Sequence, residues 1–217
     1  MIITIDGPAA AGKGTLANRL ASKYHLAYFD TGMVYRAVGI DLISNGFSTE
    51  DASKAEESAK SLTFSKMMAL AKYPDFRSAL GGQAASKVAA MPLVRQALLK
   101  MQQDFALQPV FADGSPANGV VYDGRDTGTV VCPAADIKLF ITASPEVRAM
   151  RRHTEYLQKG LPSSYEDVLA QTKERDLRDS SRTSAPLKPA DDATIIDTSL
   201  LTADEVFEKA CKIIDAK

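Results

Sequence analysis

The chain has 217 residues, 45% of them hydrophobic and 24% charged, with a formal net charge of −1 at pH 7, the balance of one globular, water-soluble domain. Near-neutrality excludes a global pull towards nucleic acid or an anionic membrane, so any bound anion must be held by local groups. The two cysteines, Cys132 and Cys211, are far apart and lack metal-type spacing, no apolar run approaches the ~18 residues of a membrane span, and a cytoplasmic protein is expected.

In chain order, residues 2–5 read as a strand with no charged leader before it, followed by a helix on which Leu16, Leu20 and Tyr24 share a face. A second strand at 27–29 leads to a helix carrying Val34, Val38 and Leu42, which stops at Asn45-Gly46. A weaker helix covers about 51–60. A long helical pattern runs from about 83 to 107, with Pro92 as an internal boundary or kink. After a loop at 113–119, strands are expected at 120–122, 137–141 and 194–196. Between the last two, Ser144-Pro145 reads as the cap and first residue of a helix that stops at Gly160. Ser163 and Glu166 have capping-box spacing for the next helix, and Thr202 and Glu205 for the last, whose apolar face carries Phe207, Cys211 and Ile214. A second loop is expected at 185–192. Brief, non-alternating strands separated by helices predict an α/β fold with a parallel sheet covered on both faces.

The strongest chemical signal is Gly7-Pro8-Ala9-Ala10-Ala11-Gly12-Lys13-Gly14-Thr15, placed between the first strand and the first helix. Small residues there let backbone N–H groups turn around a phosphate, the helix N-terminus adds positive potential, and Lys13 reaches the outer phosphates. The strict pattern has Ser or Thr directly after the lysine as a magnesium ligand. Here that place is Gly14, with Thr15 following, so magnesium is expected to arrive with ATP and to be held through water near Thr15 and Asp123. No guanine-recognition Asn-Lys-x-Asp occurs, which argues against a GTPase switch.

Two further motifs follow strand ends: Asp30-Thr31-Gly32-Met33-Val34-Tyr35-Arg36 and Asp123-Gly124-Arg125-Asp126-Thr127-Gly128-Thr129. They place carboxylates, hydroxyls and arginines where open α/β sheets bind ligands. Arg148, Arg151 and Arg152 share one helix, and Arg175, Arg178 and Arg182 recur on the next. Interleaved acids would suit a solvated face, but phosphoryl transfer asks for cations closing over the moving phosphate. The only histidines, His25 and His153, have no metal spacing and read as surface residues. A phosphate monoester acceptor is largely dianionic, with a second pKa of ~6, and needs positioning rather than a general base.

These pieces, together with Ile5-Asp6-Gly7-Pro8, Ala84-Ala85-Ser86-Lys87-Val88-Ala89, Thr129-Val130-Val131, Lys173-Glu174-Arg175-Asp176, Arg178-Asp179, Arg182 and Ala185-Pro186-Leu187, resemble the bacterial-type cytidylate kinases along most of the chain. The resemblance implies a single P-loop kinase domain over 1–217, with a five-stranded parallel sheet, flanking helices, an acceptor-binding region at about 33–107 and a lid at about 150–185. It implies ATP on Gly7 to Thr15, with magnesium, and CMP or dCMP against Thr31, Arg36, Ser86, Arg95, Arg125, Asp126, Asp179 and Arg182. Lys13, Arg151, Arg175 and Arg178 are the implied catalytic cations. Members usually carry a longer, strand-like insert ahead of Ala84, where this chain has only 65–83 with Pro74 inside it. The rival readings are a UMP or broad-range monophosphate kinase and a regulatory ATP-binding protein that phosphorylates nothing. Neither nucleic acid nor a partner chain is called for, and a monomer is expected.

Overall fold

The computed structural model describes all residues 1–217, which divide into two units, Met1–Phe29 with Gln108–Lys217, and Asp30–Leu107. Five strands, β1 (Ile2–Asp6), β2 (Ala27–Asp30), β3 (Val120–Asp123), β4 (Ile137–Thr142) and β5 (Thr194–Asp197), form one sheet in the order β2-β3-β1-β4-β5. β1 pairs in parallel with both β3 and β4, and β4 with β5. Parallel neighbours cannot be joined by tight hairpins, so helices carry the chain from strand to strand.

In the first unit these are α1 (Lys13–Tyr24), α7 (Pro145–Gln158), α8 (Tyr165–Ser181) and α9 (Ala203–Asp215). Leu16 and Leu20 of α1, Ile3 and Ile5 of β1, Leu139 of β4 and Ile214 of α9 are buried in one cluster. The expected caps account for three helix ends. Ser144 accepts from Val147 N and Pro145 opens α7, Gly160 follows its end with φ +70°, and Thr202 with Glu205 forms a reciprocal capping box on α9. α8 departs from expectation: its cap is Ser164, accepting from Asp167 N at 3.3 Å. Ser163 instead meets His153 Nδ1 at 3.0 Å, so His153 is half-buried rather than at the surface. The strands are also less uniformly covered than their sequence suggested, because β5 is an edge strand and Ile195 on it is exposed. Residues 113–119 close on themselves, with Asp113 Oδ1 accepting from Ser115 N and Oγ and a short antiparallel bridge joining Val110 to Pro116.

The second unit is helical: α2 (Gly32–Ser44), α3 (Ala52–Lys60), α4 (Phe64–Leu70), α5 (Ala79–Val88) and α6 (Pro92–Leu107). The long pattern expected over 83–107 is two helices, broken where Pro92 begins α6, since a prolyl nitrogen has no N–H to extend a preceding helix. The stretch 65–83 holds most of α4 and the start of α5 with a 3-10 turn at Pro74–Arg77 between them, and no strand. α2 packs on α5 at Gly39, where a Cβ would lie 2.7 Å from the Ala84 Cβ. Asp41 on α2 accepts from Ser58 Oγ of α3 at 2.6 Å and Lys66 Nζ of α4 at 2.8 Å, tying three helices together.

Candidate active site

The glycine-rich loop leaves β1 at Gly7, whose φ is +143° and whose Cβ, if present, would lie 1.9 Å from the Ile141 carbonyl oxygen. Only glycine fits this crossing. The loop ends on Gly12, with φ +96°, and α1 begins at Lys13. Lys13 is 5% exposed, donates to the Pro8 carbonyl at 2.9 Å and lies 3.8 Å from Asp123. Burial first, then the positive fields of Arg125 and Arg175, lower its pKa to about 8, partly countered by Asp123. A Cβ on Gly14 would come within 3.3 Å of Asp123 Oδ2, so the backbone of the loop passes close to this carboxylate.

Beyond β3, Arg125 donates to Asp179 Oδ2 at 3.2 Å, and Arg175 Nε lies 3.8 Å from the same oxygen. Burial pushes the Asp179 pKa up, but the guanidiniums of Arg125, Arg175 and Arg182 outweigh it and hold the carboxyl below its ordinary range. Arg182 Nε donates to the Ala185 carbonyl. The structure therefore gathers Lys13, Asp123, Arg125, Arg175, Asp179 and Arg182 into one charged cluster. Two other arginines named from the sequence are held differently. Arg178 pairs with Glu174, one turn back on α8, and Arg151 donates to both the hydroxyl and the carbonyl of Thr198 at 3.0 and 2.7 Å.

In the second unit, Thr31, Ser86 and Arg95 are buried polar residues, an unusual investment unless each has work to do. Thr31 stands at the start of α2, where Gly32 N donates to Asp30 Oδ1. Arg95 donates to the Ala89 carbonyl at 3.2 Å, with its guanidinium 5.3 Å from the Tyr35 ring centre. Arg36 donates to the Phe76 carbonyl at 2.8 Å, so the short 3-10 turn, and no strand, supports it.

Three residues were not among the site residues named from the sequence. Arg148, 2% exposed, donates to the Ala143 carbonyl, to the Ala9 carbonyl of the loop and, through both terminal nitrogens, to Asp176 on α8. Thr198, also buried, donates towards the Ala11 and Thr142 carbonyls. Asp6 accepts three hydrogen bonds from Thr127 and Gly128. A charged or polar residue at the very end of an apolar strand run was the available signal for Asp6 and Thr198. For Arg148 it was a basic residue on the buried face of its helix.

The model of a family described as cytidylate kinase matches residues 3–216. A protein of Paramagnetospirillum magneticum named cytidylate kinase is 51% identical over 216 residues, covering 100% of this chain and 98% of that protein. One of the same name from Xanthobacter autotrophicus is 49% identical over 217 residues, covering 100% and 98%. A solved shikimate kinase from Bacteroides thetaiotaomicron is similar in fold, with a TM-score of 0.51 at 11% identity, covering 99% of this chain and 98% of that one. An uncharacterized protein from Eubacterium ventriosum gives a TM-score of 0.55 at 14% identity, covering 100% and 99%.

Proposed function

The chain belongs to the cytidylate kinase family, and from that premise we propose that it moves the terminal phosphate of ATP onto CMP and dCMP by direct in-line transfer, giving CDP and dCDP. The observation that carries the reading is the charged cluster around Lys13, in which a phosphate loop, the strand-end carboxylate Asp123, the helix carboxylate Asp179 and several arginines share one unit.

The loop Gly7 to Thr15 would wrap the ATP phosphates with backbone N–H groups, and Lys13 would leave the Pro8 carbonyl for the outer phosphates. Arg175, Arg178 and Arg151 are the cations proposed to close on the transferring group, with Arg178 exchanging Glu174 and Arg151 exchanging Thr198 for phosphate oxygens. Spreading charge over such cations is the main catalytic device in phosphoryl transfer. Asp123 and the Thr15 hydroxyl are oxygen donors of the kind magnesium takes, and they would hold the ion, partly through water. Bound there, magnesium would neutralise charge on the outer phosphates.

For the acceptor we assign Thr31, Arg36, Ser86 and Arg95 of the second unit, and Arg125, Asp126, Asp179 and Arg182 of the first. Arginines, buried in the case of Arg95 and half-buried in the others, suit a dianionic phosphate because a guanidinium binds it with a fixed fork of donors. No proton needs to be removed from such an acceptor, which suits a site without a histidine base. No helix is long and apolar enough to cross a membrane, and activity as a cytoplasmic monomer is part of the proposal.

The deciding experiment is ADP release from ATP and magnesium with CMP, dCMP, UMP, AMP and GMP in turn. CMP and dCMP should be preferred. Equal rates with UMP would make this a broad pyrimidine kinase, and no acceptor-dependent ADP with any of them would leave a regulatory ATP-binding protein.

A further inference from the structure

Asp6 is a buried carboxylate that phosphate transfer, as described, does not use. It is the last residue of β1, 5% exposed, and is followed directly by Gly7 of the phosphate loop. Its two oxygens are occupied from one side of the molecule. Oδ1 accepts from Thr127 N and from Thr127 Oγ1, both at 2.8 Å, and Oδ2 accepts from Gly128 N at 2.7 Å. Residues Thr127–Val131 form a π-helical turn, a rare geometry that tends to occur at functional sites. The two residues before it are Arg125 and Asp126, and the turn is closed by Cys132 N donating to the Thr127 carbonyl at 2.7 Å and Val131 N to the Asp126 carbonyl at 3.3 Å.

A buried carboxylate is costly unless its lone pairs are satisfied, and here burial pushes its pKa up against the pull of all three donors. Simple packing at the end of an apolar strand would be better served by valine or isoleucine. What a carboxylate can do, and no neutral side chain can, is accept from two successive backbone N–H groups on separate oxygens while also taking a hydroxyl. The fit is tight on the other side as well: a Cβ on Gly128 would lie 2.8 Å from Thr4 Oγ1 and 3.4 Å from Asp6 Oδ2. The turn is therefore pressed onto the β1 end and clamped there.

We propose that Asp6 is a positioning residue for acceptor selection: by clamping the Thr127–Gly128 turn to the end of β1, it fixes Arg125 and Asp126 in register with the phosphate loop that begins one residue later. The proposal rests on the reading that Arg125 and Asp126 contact the nucleoside monophosphate. Asp6 itself touches no substrate.

Two variants test it. Asp6→Asn keeps the shape, but whichever way the amide is turned its NH2 faces a backbone N–H, so the turn loses at least one bond and is pushed away. Gly128→Ala displaces the same turn sterically and keeps the carboxylate, whose field also acts on Lys13. In both, KM for CMP should rise at least ~10-fold and the preference for CMP over UMP should shrink, the scale of one unmet buried polar group. In Gly128→Ala, affinity for ATP with magnesium, measured by calorimetric titration, should stay within about threefold of wild type, because both the loop and the Asp6 charge are kept. If Asp6→Asn fails to fold by circular dichroism, Gly128→Ala carries the test alone. An unchanged KM for CMP in a folded Gly128→Ala protein overturns the proposal, as does equal loss of CMP and ATP binding. Asp126→Asn is the control for the underlying reading: if it leaves CMP handling intact, the assignment of the acceptor site fails, independently of whether Asp6 clamps the turn.

Discussion

Lys13 has a pKa lowered from 10.5 to about 8, chiefly by burial and next by Arg125 and Arg175, and a lysine that must meet phosphates has to be charged. In the free enzyme the charged fraction is therefore roughly nine in ten at pH 7 and roughly one in ten at pH 9, so kcat/KM for ATP should fall about tenfold between them. The substrates do not contribute to this limb, because their phosphates have second pKa values of ~6 and are deprotonated throughout. Nor do the displaced thiol and phenols. Burial moves the Cys132 thiol up to about 11 and the Tyr122 and Tyr24 phenols above their ordinary values, out of the window. The assay is kcat/KM for ATP at saturating CMP, by direct ADP quantification, from about pH 6.5 to about pH 9.5. Once ATP is bound its negative charge should restore the lysine's proton affinity, so kcat alone should hold to higher pH. Lys13→Arg, whose guanidinium stays charged, should lose the limb even if its activity is low. A flat kcat/KM profile in wild type, or the same limb in Lys13→Arg, would refute the reasoning.

The same burial carries a stability cost. The folded-state pKa lies below the unfolded one, so the penalty, about 3 kcal/mol for this shift, is full below pH 8 and relieved as pH rises through it. Lys13→Met gives up the bond to the Pro8 carbonyl but removes the penalty, so nucleotide-free melting at pH 7 should rise by about 4–8 °C, with the gap closing by pH 9.5. A variant that melts below wild type at pH 7 would show that burial is not what displaces this lysine. Asp176→Asn should destabilise by ~1–3 kcal/mol, discounted because the Asp176 side chain is 27% exposed. It should also raise KM for ATP, since Arg148 joins Asp176 to the Ala9 carbonyl; denaturant melts and ATP kinetics check both, and an unchanged KM removes Arg148 from loop support. Asp126→Asn should narrow the gap in kcat/KM between CMP and UMP by at least ~10-fold, because cytosine presents an amino donor where uracil presents a carbonyl. Equal loss on both acceptors would place base recognition elsewhere.

Much of the fold was legible locally. The strand at β1, the glycine turn into α1, the Ser144-Pro145 start of α7 and the Thr202–Glu205 box are each set by a few adjacent residues, whose φ preferences and hydrogen-bonding groups act over one turn of chain. Residues that capture a helix start by neighbouring alternatives were harder to read: Ser163 and Ser164 could both cap α8, and the choice fell to Ser164 because Ser163 is taken by His153. The break at Pro92 was visible, but not that α5 begins as early as Ala79, since that start depends on Ser78 capping Gly81 beneath the 3-10 turn.

The sequence by itself determined that a phosphate loop opens the chain and that arginines and strand-end carboxylates accompany it, because the spacing of glycines around Lys13 is a local backbone requirement. Which charges meet across the fold was decided by the tertiary structure, while helix spacing allows the pairs within α8. Arg175 and Arg178 lie three residues apart on α8, yet one faces Asp179 and Arg125 while the other turns to Glu174. Arg148 reaches the phosphate loop across 139 positions of chain, and Asp6 reaches Gly128 across 122. Pairings at such separations are fixed by strand order and helix packing, and no window of sequence contains both partners.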